Sequence, residues 1–420
     1  MSKLDDLIRE YCPDGVEYKK LDEIATITRG GNFQKKDFLD EGIPCIHYGQ
    51  IYTKYNLFVD QTLSYISKEK SQKQKFAEPG DVIMAVTSEN IEDVCKCVAW
   101  LGSEKLAVSG HTAIIHHNLN PKYLVYYLSS EAFYKQKLKL VHGTKVIEVT
   151  PKSLENVLIP VPPIAVQREI VRILDNFTEL TAELTAELTA REKQYEYYRD
   201  RLLTFDENNP IARKYCPDGV EYLPLWQLFN TRNGYTPAKK HIEYWRGGTF
   251  PWFRMEDIRE HGRILFDSIQ HVTEQAIKGD PFPKDSIIIS TSATIGEHAL
   301  IRKPFLVNQR FTVLMIRKEF KEKFNNKFLF YYCFKLDDFC NSHLNTSSFN
   351  SVDKTAFNNF LFAVPPLPVQ REIVQMLDRF DKLCHDMTTG LPAEIEARQK
   401  QYAYYRDKLL DFKPLEKQAE

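Results

Sequence analysis

An α+β fold organised as a tandem, pseudo-twofold repeat, with two α+β bodies joined by two long antiparallel coiled-coil helices, is predicted by three features of the 420-residue chain. Val161-Pro162-Pro163-Ile164-Ala165-Val166-Gln167-Arg168-Glu169-Ile170-Val171 returns as Val364-Pro365-Pro366-Leu367-Pro368-Val369-Gln370-Arg371-Glu372-Ile373-Val374. Arg191 to Asp200 returns as Arg398 to Asp407 with two substitutions, and Tyr11-Cys12-Pro13-Asp14-Gly15-Val16-Glu17-Tyr18 recurs as Tyr215 to Tyr222. Self-similarity at a fixed spacing marks a duplicated unit, here of about 204 residues. The repeats divide the chain into a first body over 1–160, a helix over 161–207, a second body over 208–363, and a second helix with its tail over 364–420.

The bodies, each long enough to bury its own core, read as short strands followed by an aromatic-rich helical segment. Asp81 to Thr87 and Asp285 to Thr291 are matched apolar runs that predict buried strands. Ala107 to Ile115 and Leu306 to Leu314 form a second matched pair, followed by helical segments over 123–140 and 324–339. The apolar residues match between bodies while the polar residues at the strand exits do not. Ser88 and Asn90 stand against Ser292 and Thr294, and Ser109-Gly110-His111 against Asn308-Gln309-Arg310. Cys45-Ile46-His47 and Trp252-Phe253-Arg254 both follow a glycine–proline turn, which puts His47 and Arg254 at equivalent exits. One scaffold with two sets of polar tips is what two base readers require, because hydrogen-bonding side chains distinguish bases in the major groove. Lys35, Lys36, Lys73, Lys75 and Lys145 would then position phosphates without reading sequence.

Each helix opens on a proline pair, which can neither continue a strand nor sit inside a helix. Apolar positions then recur in steps of three and four, through Ile170, Leu174, Phe177, Leu184, Leu188, Tyr195, Tyr198, Leu202 and Phe205 in the first copy. In the second they run through Ile373, Leu377, Phe380, Cys384, Met387, Leu391, Ile395, Tyr402, Tyr405, Leu409 and Phe412. A helix of about forty residues is ~60 Å long, too long for one small body to cover, so each copy is the natural partner of the other. The repeated Thr-Ala-Glu-Leu of residues 181–188 lengthens the first helix with a Leu stripe beside Glu. In the second helix, Gly390 and Pro392 predict a kink or a restart.

A net charge of −1 is a poor overall match to nucleic acid, but the average hides segregation: residues 208–362 hold 21 Lys/Arg against 16 Asp/Glu. Any electrostatic footprint therefore lies on one face of the bodies. The eight cysteines form no Cys-x-x-Cys pair, so they are expected as buried, reduced thiols and not as metal ligands. No apolar run approaches a membrane span and the charged N-terminus has no signal region, so a cytoplasmic location is expected. Phosphate-cradling, dinucleotide, nucleophile-elbow and zinc-hydrolase motifs are all missing, which points away from an enzyme and from any cofactor.

On the duplicated Pro-Pro-x-x-x-Gln-Arg-Glu-Ile-Val frame, the Tyr-Tyr-Arg-Asp helix ends, the two Tyr-Cys-Pro-Asp-Gly-Val starts and the Thr-Ala-Glu-Leu tetrapeptide, the chain resembles the specificity (S) subunit of type I restriction–modification enzymes. The likeness covers nearly the whole sequence. It implies two target-recognition domains, each reading one half of a split sequence in double-stranded DNA. It also implies a helical spacer that docks two modification (methyltransferase) subunits, joined by restriction subunits, with all catalysis in those partner chains. Tyr195, Tyr198, Arg199, Tyr402, Tyr405 and Arg406, in the repeated helix ends, are the candidate docking residues. Two alternatives are a coiled-coil adaptor whose two modules bind proteins, and an enzyme with an unrecognised site in one body. Salt-dependent, sequence-specific duplex binding excludes the first, and the second requires a titratable pocket in one copy only.

The helical ruler makes the first prediction. One more Thr-Ala-Glu-Leu after Leu188 adds ~6 Å and about 1.1 turns, so the Leu stripe stays nearly in register. Methylation mapping of the assembled complex should return unchanged half-sites with a gap longer by roughly one or two base pairs at 3.4 Å per step. An unchanged gap would show that this segment is not the spacer.

Overall fold

The central strand of each body is apolar on both faces because both faces are covered. In the first body Val82–Ala85 is flanked in the sheet order Ala25–Arg29, Thr112–His117, Val82–Ala85, Cys97–Trp100, Phe58–Val59. In the second, Ser286–Ser290 holds the same place in the order Phe229–Asn233, Phe311–Ile316, Ser286–Ser290, His298–Ile301, Ile264–Leu265. Side chains alternate across a strand. Val82 and Met84 accordingly pack with the helical residues Tyr123 to Leu128, whereas Ile83 and Ala85 pack with Ile46 and Val108 of a second sheet. Ile287 and Ile289 likewise face the helix Asn326–Ser342, while Ile288 faces Phe253 and Val307. The computed structural model describes residues 3–206, 209–345, 351–386 and 388–415, so Met387 of the expected helical stripe lies outside the described residues.

Three expected elements are each divided. The run 107–115 is two strands, Leu106–Val108 and Thr112–His117, which lie in different sheets. Its counterpart 306–314 is Leu306–Val307 and Phe311–Ile316. The polar triplets at 109–111 and 308–310 are where the chain crosses between layers, so apolar residues continue on both sides without forming one strand. The helical segment 123–140 breaks at Ser129-Ser130 into Pro121–Leu128 and Glu131–Lys137, Ser130 capping the latter by accepting the Phe133 N–H at 3.3 Å. All eight cysteines are buried free thiols. Among the described residues no helix is long and apolar enough to cross a membrane.

The repeated frame is a set of buried hydrogen bonds. Strands Tyr18–Lys20 and Leu158–Pro160 pair antiparallel, as do Glu221–Pro224 and Leu361–Val364, tying the start of each body to its end just before the prolines. Gln167 then accepts the Asn120 N–H at 2.9 Å and donates to the Pro162 carbonyl at 2.7 Å. Gln370, fully buried, accepts from Asn325 N–H at 2.8 Å and donates to Lys323 and Pro365 carbonyls at 2.9 and 2.8 Å. Two turns on, Asp175 takes Lys122 Nζ at 2.6 Å and Tyr126 Oη at 2.7 Å, and Asp378 takes Lys327 Nζ at 2.8 Å and Tyr331 Oη at 2.7 Å. Each helix start is thus fixed to the helix of its own body.

The chain packs as two compact units, Met1–Leu184 with Ile395–Glu420, and Thr185–Glu394. Each therefore contains helix from both repeats. In the first unit Phe177 stacks on Tyr405 (5.4 Å, 21°), and Leu410 and Phe412 enter the core with Val166, Ile170 and Leu174. In the second Tyr198 stacks on Phe380 (5.6 Å, 22°) and Tyr195 meets His385 edge-on at 5.7 Å, rising numbers on one helix meeting falling numbers on the other. The first spacer helix is continuous over Ile164–Leu202. The second is broken into Leu367–His385 and Leu391–Leu409, with Pro392 in a first turn. Asp386 holds the break, its carboxylate accepting Thr388 N–H at 2.7 Å and Thr389 Oγ1 at 2.8 Å. A Cβ on Gly390 would come within 2.6 Å of the Lys382 and Asp386 carbonyl oxygens.

Gln370→Ala strands three buried or part-buried backbone groups and Gln167→Ala two, at a cost of up to about 1–3 kcal/mol for each group left unsatisfied. Denaturant unfolding should show both variants destabilised, Gln370→Ala the more. Wild-type midpoints for both would refute the structural role assigned to the repeated glutamine.

Candidate nucleic-acid interface

Parallel pairing brings distant residues to one edge. Ile43–Ile46 pairs parallel with Leu106–Val108 (Cys45↔Ala107, Ile46↔Val108), so the chain leaves both strands side by side at His47 and at Ser109 to His111. Phe250–Phe253 pairs parallel with Leu306–Val307 (Trp252↔Leu306, Phe253↔Val307), which sets Arg254 beside Asn308 to Arg310. A third segment hooks onto this edge. Gly31 N–H donates to the Val108 carbonyl at 2.7 Å, and Tyr235 N–H to the Val307 carbonyl at 2.8 Å. The residue before each hook is glycine because a Cβ on Gly30 would collide with the Ser109 carbonyl oxygen, and on Gly234 with those of Val307 and Asn308.

Local caps aim the exits. His47 is the N-cap of Tyr48–Thr53: its Nδ1 accepts the Gly49 N–H at 3.1 Å while Gln50 Oε1 accepts the His47 N–H at 2.9 Å. Arg254 precedes Met255–His261, its N–H donating to Asp257 Oδ2 at 2.6 Å. Burial, then the charges of Lys35 and His111, push the His47 imidazole down to about 4. Its ring lies 4.4 Å from Tyr48, and Tyr48 lies 5.0 Å from His111. These residues, with Arg29, Asn32, Gln34 and Ser109, line a hollow of about 370 Å³. Arg29 is anchored by Nε to the Gly110 carbonyl at 3.0 Å and pairs with Glu148 at 3.5 Å. In the second body Gln309 Oε1 accepts from Thr236 Oγ1, Asn308 Oδ1 accepts the Arg310 N–H at 3.0 Å, and the exposed Arg310 has no ion-pair partner among the described residues. A larger cleft of about 1130 Å³ in the second unit lies along the helix seam by Arg199, Asp337 and His385, away from the strand exits.

The structure thus assembles His47 with His111, and Arg254 with Asn308, Gln309 and Arg310. Ser88 is half-buried on Thr87–Ser88, which pairs with Ile147–Glu148 just after Lys145. Asn90 is spent locally: its Nδ2 donates to Asp93 Oδ2 and its Oδ1 accepts the Asp93 N–H, both at 2.8 Å. Its place is a turn, where the exposed amide keeps one N–H and one lone pair beyond these bonds. Ser292 and Thr294 are half-buried in the loop after Ser286–Ser290, which touches the Arg310 segment where Thr291 N–H donates to the Arg310 carbonyl at 3.1 Å.

Some lysines of the first body are paired with carboxylates and others are not. Lys96, Lys105, Lys122 and Lys152 pair with Asp93, Glu78, Asp175 and Glu155. Lys35, Lys36, Lys73, Lys75 and Lys145 are exposed and have no carboxylate partner among the described residues. Lys239 and Lys240, 204 positions after Lys35 and Lys36, are exposed in the same way. Sequence reasoning passed over that pair, along with Arg29, Asn32, Gln34 and Tyr48, although the matched glycines at 30 and 234 flag the hook.

On the helix ends, Tyr195 is buried at 4% exposure within the seam, so it cannot offer a docking surface. Tyr402 is partly buried against Tyr126. Arg199 lies over the Phe334 ring at 4.3 Å and Arg406 over Tyr402 at 5.7 Å. Tyr198 and Tyr405 keep 39% and 36% exposure, and their neighbours Tyr197 and Tyr404 keep 59% and 60%, each forming an edge-to-face pair on the surface.

A family model described as the type I restriction modification DNA specificity domain matches residues 13–191 and again 217–397. The Escherichia coli type I restriction enzyme EcoprrI specificity subunit is 51% identical over 202 residues, covering 46% of this chain and 50% of that protein. The Escherichia coli EcoR124I/EcoR124II specificity subunit is 38% identical over 264 residues, covering 60% and 61%. The chain thus spans about half and about three-fifths of the length of these curated relatives. A chain from a structural study of complex assembly and conformational transition in the type I R-M system superposes with a TM-score of 0.66 at 18% identity, covering 95% and 98%. With its fold repeated twice and the family's domain matched on both copies, the chain belongs to the type I restriction–modification DNA specificity family.

Proposed function

We propose that the chain is the non-catalytic sequence-reading subunit of a type I restriction–modification complex, each body recognising one half of a bipartite site in double-stranded DNA. The observation that carries this reading is the pair of strand-exit clusters: one backbone scaffold, two sets of polar side chains. His47, Ser109 and His111 in the first body are replaced at the same places by Arg254, Asn308 and Arg310 in the second. Arg and Asn match guanine and adenine edges, so two unlike exits read two unlike half-sites. The unpaired lysines around them supply phosphate contacts that hold register and carry no sequence information.

The surface tyrosine pairs at 197–198 and 404–405 support docking of two copies of one modification subunit, because the same motif is presented twice. Methyl transfer and cleavage then belong to modification and restriction partners acting with this chain in the cytoplasm, and the chain itself takes no cofactor.

The test is a body exchange. Replacing residues 208–362 by a second copy of the first body should convert an asymmetric target into a palindrome-like one, read by methylation mapping in a host that supplies the modification partner. A target that keeps its asymmetry would defeat the modular reading. Loss of all sequence preference, with the chimera folded and assembled, would defeat DNA reading by the bodies.

A further inference from the structure

The hollow at the first body's strand exits contains a buried side chain with one unsatisfied valence. His47 is 7% exposed, yet it lines this hollow of about 370 Å³. Its Nδ1 is committed as an acceptor to the Gly49 N–H at 3.1 Å, so the ring proton resides on Nε2. That nitrogen has no hydrogen-bond partner among the described residues, and His47 lines the hollow. Tyr48 holds the ring from one side, with its own N–H fixed to Ser109 Oγ at 2.9 Å. Arg29, anchored through Nε to the Gly110 carbonyl, adds a second group that can only donate.

We propose that this hollow is a base-reading pocket in which His47 Nε2–H donates to an acceptor on the major-groove edge of a guanine in the first half-site. The proposal rests on the reading of the chain as a DNA-recognition subunit and assigns the chemistry of one contact within it. A phosphate is the other acceptor a histidine could meet, and Arg29 and Lys35 would attract one, but the His47 ring itself brings no charge to it. Burial removes the ring's charge, and the charged groups facing it, Lys35 and His111, add to that effect. A neutral imidazole offers direction without charge, which suits a base edge. Guanine alone presents two acceptors, O6 and N7, to the major groove, matching donors that cannot accept. In the second body Arg254 occupies the same exit with its guanidinium 3.8 Å from Glu256, so the two pockets place different demands on their bases.

The experiment uses the chain assembled with its modification subunit and a panel of duplexes substituted one base pair at a time. His47→Asn keeps an N-cap acceptor for the Gly49 turn and shortens the side chain, so that its amide N–H no longer reaches the place of Nε2–H, and it should fold normally. Its discrimination should fall by about ten- to a hundredfold at one guanine of the first half-site, with the second half-site unchanged. Equal weakening of the His47→Asn variant on every duplex would make His47 a phosphate contact and overturn the proposal. Unchanged discrimination by a folded variant would also overturn it while leaving the functional reading intact. Should the wild-type complex itself show no sequence preference, the functional reading fails first.

Discussion

A long helix cannot bury its apolar stripe against one small body, and this constraint organises the whole chain. The first spacer helix runs for 39 residues, about 58 Å, while its own body engages only the opening turns through Gln167, Asp175 and the core positions Val166 to Leu174. The remainder must find cover from the other repeat. The matched stacks Phe177–Tyr405 and Tyr198–Phe380 are the result, each joining the start of one repeat's helix to the end of the other's. Neither sequence repeat is therefore a folding unit. The first body's core is completed by Leu410 and Phe412, nearly two hundred and fifty residues beyond the frame that begins its helix.

Once the bodies are held, recognition depends on where strands end. Parallel neighbours leave a sheet at the same edge, so two exits separated by some sixty residues of sequence stand side by side. The glycine hook brings a third segment to that edge. The inward core positions Ile46, Val108 and Ile83 correspond to Phe253, Val307 and Ile288. Specificity can change most freely at the exposed positions 111, 309 and 310, whereas His47 and Ser109 are buried and also hold the local caps. Ligands collect at the carboxyl ends of parallel strands in open sheets for the same reason.

What could be read in the sequence follows from this division of labour. The duplication, the helices and the equivalence of His47 with Arg254 were legible because motif repeats and helical periodicity are local signals. The break at Gly390 was legible from composition, although only the structure shows Asp386 fixing it. The crossing between sheets at 109–111 and 308–310 was not, since apolar residues on either side look alike whichever layer they enter. The engagement of Asn90 by Asp93 was not legible, because a turn partner has no periodic signature. Tyr195 sits in the same repeated motif as the exposed Tyr197 and Tyr198, and only the helical phase relative to His385 decides which of them faces inward. Arg29 was missed because its importance is long-range, through Gly110 and Glu148.

The charge of the chain presents an apparent conflict, since a protein at −1 overall offers DNA no net attraction. Coulomb attraction at physiological salt is screened within about 8 Å, so a polyanion senses the charges it touches and not the total. Some lysines of the first body are neutralised by neighbouring carboxylates, Lys96 by Asp93 and Lys105 by Glu78. Those at 35–36, 73, 75 and 145 are left unpaired, and the second body repeats the device at 239–240. The acidic residues that bring the sum to −1 include the Glu stripe of the first spacer helix, at 179, 183 and 187. The near-zero net charge is therefore compatible with a basic local surface at the strand exits, and the helices can carry acid without weakening it.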